Sequence, residues 1–315
     1  MLRHMTYRLI ACALVSASAF HLTSCGGDPQ MPILAGNNQA AVDEAEKLYQ
    51  VAKATDISGN SSKAIKLYDN VATRYPFAIS AAQARFRQAE LTEQKGEILK
   101  AFDVYDEFLK QFQGSGLYSK ALDRQIAMAQ SAADGDLKQS MLGLKTKLSL
   151  ERTVEMLGKL RENAPKSPAA AKAQFTIGQL YENKEKSKEA IEAYRRLVSD
   201  QPYCPQAPEA LFRIGVILTA EADRGNQNQA NLDLAKEAFN DYLLQYPGHS
   251  RNAEARKMIA SLGGRDTQRS FDIAEFYLKT GKIESAKVYY RDIVNRTASG
   301  DLHNKSVARL KELGG

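Results

Sequence analysis

The chain holds 315 residues, of which 43% are hydrophobic and 25% charged, with 9 prolines, no tryptophan and a formal net charge of +6. This is the make-up of an ordinary folded helical protein and excludes global disorder. It also argues against nucleic acid as a partner: discounting Arg3 and Arg8 takes the charge from +6 to +4, both signs are interspersed, and no recognition motif is present.

Arg3 and Arg8 precede an apolar run at 9–20, and small residues stand just ahead of Cys25. That is the layout of an export signal, too short for a comfortable membrane span. Leu22, Thr23, Ser24 and Cys25 together resemble the bacterial lipoprotein signal, which implies cleavage after residue 24 and acyl chains such as palmitate on Cys25. Several acyl chains exceed the two-signal threshold for stable membrane anchoring. Gly26 and Gly27, rather than aspartate, follow the cysteine, so the sorting rule for such lipoproteins implies the periplasmic face of the outer membrane. The plain alternative is a secretory signal with an incidental cysteine. Residues 25–40 carry Gly, Pro and Asn without a helical period and read as a lipidated flexible tether. With Cys12 removed and Cys25 acylated, Cys204 stands alone. No intramolecular disulfide is expected, and Cys204, between helices and without an adjoining His or basic cluster, reads as a structural thiol.

Length alone would suggest about two domains of ~150 residues, but residues 41–313 read as one continuous array. Gly59 and Gly96, Ala64 and Ala101, and Tyr68 and Tyr105 are each offset by 37 residues. A period in that range means stacked supersecondary units. The first unit pairs a helix at 41–55, with Ala45, Leu48, Tyr49 and Ala52 on one face, with a helix at 61–74 that Tyr75 and Pro76 end. Ala84, Phe86 and Ala89, then Gly96, then Ala101, Tyr105, Phe108 and Phe112 give the second. Small residues at Ala64 and Ala101 let helices approach, and Tyr68 and Tyr105 fill the space beside them.

The third unit is degenerate: a helix at 117–131, an extra polar segment with two glycines at 132–143, then a helix at 150–163. A fourth uses Phe175, Gly178, Tyr181, Ala190 and Tyr194, and a fifth Ala210, Phe212, Gly215, Ala235 and Phe239, interrupted by an inserted loop at 223–231. Gly248, His249 and Ser250 form a helix-joining turn with Ser250 as N-cap. A sixth unit covers 270–294, and a short helix at 306–313 closes the stack. The expectation is an all-α solenoid of five to six helical hairpins, divisible into 41–131, a degenerate and extra region at 132–205, and 206–313.

Aromatic and alanine positions at this spacing resemble tetratricopeptide repeats, which implies a scaffold or adaptor. Two segments sharpen the resemblance. Arg74, Tyr75, Pro76 and Phe77, with Gln83 after them, and the run Ile273-Ala274-Glu275-Phe276-Tyr277-Leu278-Lys279 with Gly281 and Ala286, are similar to the BamD (ComL) lipoproteins. That family belongs to the machinery that folds β-barrels into the outer membrane. The order of lipoprotein signal, RYPF, insertion and AEFYLKTG carries the resemblance. Two departures stand out: extra helical material at about 137–205 separates the matching segments, and the family's last hairpin is reduced to 306–313. Where many members carry an arginine implicated in binding the barrel-forming partner, this chain has Tyr289, with Arg291 nearby.

Enzymatic chemistry is not expected. After signal removal only His249 and His303 remain, no GxxxxGK[ST] or GxGxxG is present, and no cofactor is implied beyond the lipid on Cys25. Glu90 and Glu93, and Asp103, Asp106 and Glu107, read as solvated helix faces. Lys184, Lys186, Lys188, Arg195 and Arg196 read as exposed helix ends paired with Glu189 and Glu192. By their spacing from Ala52 and Ala89, Tyr49, Lys53, Phe86 and Glu90 are the candidates to line a peptide groove. The resemblance implies partner docking on 270–294, where Tyr289 and Arg291 stand. The partners implied are the barrel-inserting subunit, other assembly lipoproteins and unfolded outer-membrane proteins. The rival reading is an envelope adaptor linked to cell-wall or division machinery, built on the same repeats.

Overall fold

The computed structural model describes residues 39–141, 144–224 and 229–314. The signal at 1–24, Cys25 and the tether up to residue 38 lie outside the described residues. The chain divides into two compact units, Met1–Ala84 and Arg85–Gly315.

In the first unit, α1 (Gln39–Ile57) and α2 (Ser61–Arg74) form an antiparallel hairpin. Ala45 and Ala52 of α1 and Ala64, Tyr68 and Val71 of α2 are at most 1% exposed. The turn is a Schellman cap: Gly59 takes φ +82°, its N–H reaches the Asp56 carbonyl, and the Asn60 N–H reaches that of Thr55. Asn60 then caps α2 through the Lys63 N–H.

The second unit begins within α3 (Ile79–Gln94) and continues through α4 (Ile98–Gln111) and α5 (Tyr118–Ala133) to a two-stranded antiparallel sheet, β1 (Lys138–Met141) and β2 (Leu144–Lys147). Helices follow at α6 (Leu150–Asn163), α7 (Pro168–Glu182), α8 (Ser187–Asp200), α9 (Ala207–Arg224), α10 (Gln229–Gln245), α11 (Asn252–Lys279), α12 (Ile283–Arg296) and α13 (Asp301–Glu312). From α4 on, each helix packs chiefly on its neighbours in sequence, the mark of a repeat array. Large rings from the second helix of a hairpin sit against small residues of the first. A Cβ on Gly178 would lie 2.4 Å from the Tyr194 ring, so only glycine fits there.

Schellman caps recur at Gly96, Gly135 and Gly281. Between α7 and α8 the same two hydrogen bonds form, yet Glu185 holds the left-handed position at φ +56°.

Four expectations are corrected. The polar segment after α5 contains a β-hairpin, which its sequence hardly signals because Thr146 is the one β-branched residue in either strand. The inserted loop is shorter than 223–231, since α9 runs to Arg224 and α10 starts at Gln229. Arg251, not Ser250, occupies the N-cap of α11. Asp106 is not on a solvated face: it is 5% exposed. Its carboxylate accepts from Asn163 Nδ2 at 2.7 Å, Lys110 Nζ at 2.9 Å and Gln125 Nε2 at 3.3 Å, tying α4, α5 and α6 together.

Candidate functional site

A cavity of about 630 Å³ opens between α3 and α5, over α4. Phe86, Ile98 and Tyr105 supply apolar wall, and Glu90, Glu93, Gln94, Lys120, Asp123 and Arg124 supply polar wall. The structure therefore brings together two of the residues singled out by spacing, Phe86 and Glu90. Phe86 is 8% exposed and meets Tyr105 and Phe108 edge-on at 5.8 and 5.7 Å, so its ring is fixed by the core. Glu90 is half-buried and paired with Arg87 at 2.9 Å. The other two residues belong to the first unit. Tyr49 is half-buried against Tyr68, with ring centroids 5.8 Å apart, and Lys53 is exposed.

The polar wall contains a device that recurs. Tyr105 donates from its hydroxyl to Glu93 at 3.2 Å, and Arg124 of the following hairpin bonds the same carboxylate through Nε at 3.2 Å. In the same way Glu182 accepts from Tyr194 at 2.7 Å and Arg213 at 3.0 Å, and Glu275 from Tyr290 at 2.6 Å and Arg309 at 3.1 Å. Burial pushes all three tyrosine hydroxyls above their usual pKa, so each remains a donor. Each carboxylate thus bridges a hairpin to the next and leaves no free acid–base pair. The sequence carries the signal as tyrosine 12 and arginine 31 residues after Glu93 and again after Glu182.

The C-terminal hairpin presents a different surface. Tyr289 stacks on Tyr277 at 5.7 Å with 26° between the planes, Phe276 meets Tyr277 at 5.9 Å, and Lys282 Nζ lies 5.8 Å from the Tyr277 ring centre. Phe276 is 61% exposed and Val288, next to Tyr289 in the chain, 60%. Arg291 is exposed beside it in sequence. Of the residues singled out for docking, Tyr289 is thus placed beside Phe276, Tyr277 and Val288, which its own helix spacing did not pick out. Their signal was apolar residues on helix faces that solvation should make polar.

Among the described residues no cluster of three or more His, Cys, Asp or Glu could hold a metal ion. No described helix is long and apolar enough to cross a membrane. Cys204 is a half-buried free thiol.

The YfiO family model, described as outer membrane lipoprotein, matches residues 143–309, and a tetratricopeptide-repeat model matches residues 58–116. The first match spans α6, α7 and α8, the helices that the sequence resemblance set apart as extra. No curated protein matches significantly. Among solved structures the chain is similar to the MamA protein at 17% identity, covering 68% of this chain and 90% of that one, with a TM-score of 0.31. It is likewise similar to the TPR domain of P58(IPK) at 17% identity, 86% and 70% coverage and TM-score 0.36. A third is YrrB, a TPR protein with an unusual peptide-binding site, at 16% identity, 70% and 97% coverage and TM-score 0.30. The fold of this chain is an all-α tetratricopeptide solenoid.

Proposed function

Because the chain belongs to the YfiO, or BamD-type, family of outer membrane lipoproteins, we propose that it is a non-enzymatic scaffold of the β-barrel assembly machinery. The observation that carries this is the family match over 143–309, more than half of the 315 residues. In this reading acyl chains on Cys25 tether the array to the periplasmic face of the outer membrane, and the repeats hold proteins.

The cavity beside Phe86 and Glu90 suits one stretch of an extended, unfolded barrel protein. Its apolar wall can take a side chain, and Lys120 and Asp123 offer polar contacts at the rim. The Phe276, Tyr277, Val288 and Tyr289 surface suits docking to the barrel-inserting subunit, by aromatic and apolar contact in place of an arginine. Other assembly lipoproteins are further partners.

Depletion of the protein tests the function. Loss of folded outer-membrane barrels is expected. Normal barrel levels accompanied by a division or cell-wall defect would overturn the proposal in favour of an envelope adaptor. Replacing Cys25→Ala tests the anchor: the protein should move to the soluble periplasm, and persistent membrane association would contradict acylation there.

A further inference from the structure

The longest helix, α11, carries Gly263 and Gly264 near its middle. Each glycine costs a helix about 1 kcal/mol relative to alanine. A packing requirement would explain them, but a Cβ on either residue would meet nothing within 4 Å. Among the described residues, no neighbour needs that space empty.

The hydrophobic core is divided at the same place. One cluster gathers Tyr194, Phe212, Phe239 and Tyr242 and reaches along α11 as far as Leu262. The other, around Ala274, Ala286 and Tyr290, takes in Phe271, Tyr277 and Tyr289, and the two share no residue. Between them lies a cavity of about 510 Å³, lined in part by Gly263, Gly264, Asp266 and Arg296.

Polar groups span the division. Asp266 accepts from Lys236 at 3.3 Å and Arg296 at 2.8 Å, and Arg265 pairs with Asp223. Arg265, Asp223 and Arg296 are 36%, 49% and 40% exposed. Lys236 and Asp266 are more enclosed, at 22% and 16%, so it is the open Arg265–Asp223 pair that is worth only about 0–1 kcal/mol. Within the helix, Thr267 donates its hydroxyl to the Gly263 carbonyl at 2.9 Å, a back-bond that competes with the helical ladder and favours bending.

We propose that residues 263–267 are a hinge. The end of α11 with α12 and α13 turns about it as one body, carrying its own core and the exposed aromatic surface, while the preceding hairpins stay fixed. The hinge requires two closed cores, a helical connection with little side-chain packing, and polar ties that can exchange partners. All three meet at 263–267. The inference does not depend on which partner that surface docks.

The test is a pair of spin labels on unnatural side chains at exposed positions 237 and 295 of the full-length chain, leaving Cys25 and Cys204 untouched. The wild-type chain should give a broad distance distribution. The double substitution Gly263→Ala and Gly264→Ala, which meets no steric obstacle, should cut its width at least by half. It should also slow amide exchange at 263–267 on the order of 10- to 30-fold. Gly158→Ala, equally free of contact within α6, controls for general helix stabilisation and should leave the distribution unchanged. A distribution equally narrow in wild type and double variant, or equally broad in both, would overturn the hinge.

Discussion

Two joints within the second unit hold neighbouring hairpins by opposite means. Where α4, α5 and α6 meet, buried Asp106 and Gln125 are bonded to each other and to half-buried Asn163, and Tyr118 donates to the Asn163 carbonyl at 2.5 Å. Where α10, α11 and α12 meet, Asp266 bridges Lys236 and Arg296 by charge, beside two helix-interior glycines and the half-exposed Arg265–Asp223 pair. A buried polar group is tolerated only in one geometry, because any other leaves it unsatisfied. An exposed pair loses little by exchanging its partner for water. The first joint is therefore built to stay, beside the cavity at Phe86, and the second to give, beside the surface at Tyr289.

The comparison breaks most sharply at Asp106. Asp106→Ala removes an acceptor shared by Asn163, Gln125 and Lys110 and should cost about 3 kcal/mol in denaturant unfolding. A loss below about 1 kcal/mol would mean that the hub is not what fixes this joint.

Acid should weaken the same joint selectively. Burial alone would raise the Asp106 carboxyl, but hydrogen bonds from Lys110 and Asn163 and the Lys159 charge outweigh it and hold it below the usual range. Its folded pKa is thus lower than its unfolded one, near 3.9. The stabilisation is complete above that value and is lost as pH falls through the folded value. Thermal unfolding between pH 5 and pH 2 should show wild type converging on Asp106→Asn, whose joint does not titrate. A constant gap between the two across that range would contradict the assignment.

A smaller effect is expected at the α7–α8 turn between the two joints. Glu185→Gly relieves the left-handed strain that Gly59, Gly96 and Gly281 avoid, and should raise stability by about 0.5–1 kcal/mol. A lower melting temperature would show that the Glu185 side chain does something its backbone does not reveal. Smallest of all, Arg296→Ala should cost about 0.5 kcal/mol in low salt and less in high salt, since Arg296 is itself 40% exposed and Asp266 keeps Lys236. A cost like that of Asp106→Ala would erase the contrast between the joints.

Much of the fold was legible because its punctuation is local. Helices expected at 61–74 and 150–163 are α2 and α6 to the residue, since Gly59 and Asn60 fix one start and Ser149, bonded to the Arg152 N–H, the other. The β-hairpin was not legible, because two four-residue strands without an aromatic or β-branched run leave no pattern. The 28-residue length of α11 was hidden by Gly263 and Gly264, whose low propensity is overridden by packing on both halves. At the cavity, helical spacing found Phe86 and Glu90. It read Glu93 as solvated, although Tyr105 and Arg124 hold it, since a carboxylate's partners lie a hairpin away and amphipathic periodicity looks only one turn ahead. Asp106 was misread for the same reason: Gln125 and Asn163 are distant in sequence.

The central claim is that two faces of one array serve one assembly task. A photo-crosslinking side chain placed at Lys120 in the full-length, membrane-tethered chain, and separately at Val288, tests it in living cells. Unfolded outer-membrane barrel proteins should be captured from position 120 and the barrel-inserting subunit from position 288. Capture of cell-wall or division proteins from both positions, with neither barrel substrate nor inserter recovered, would contradict it.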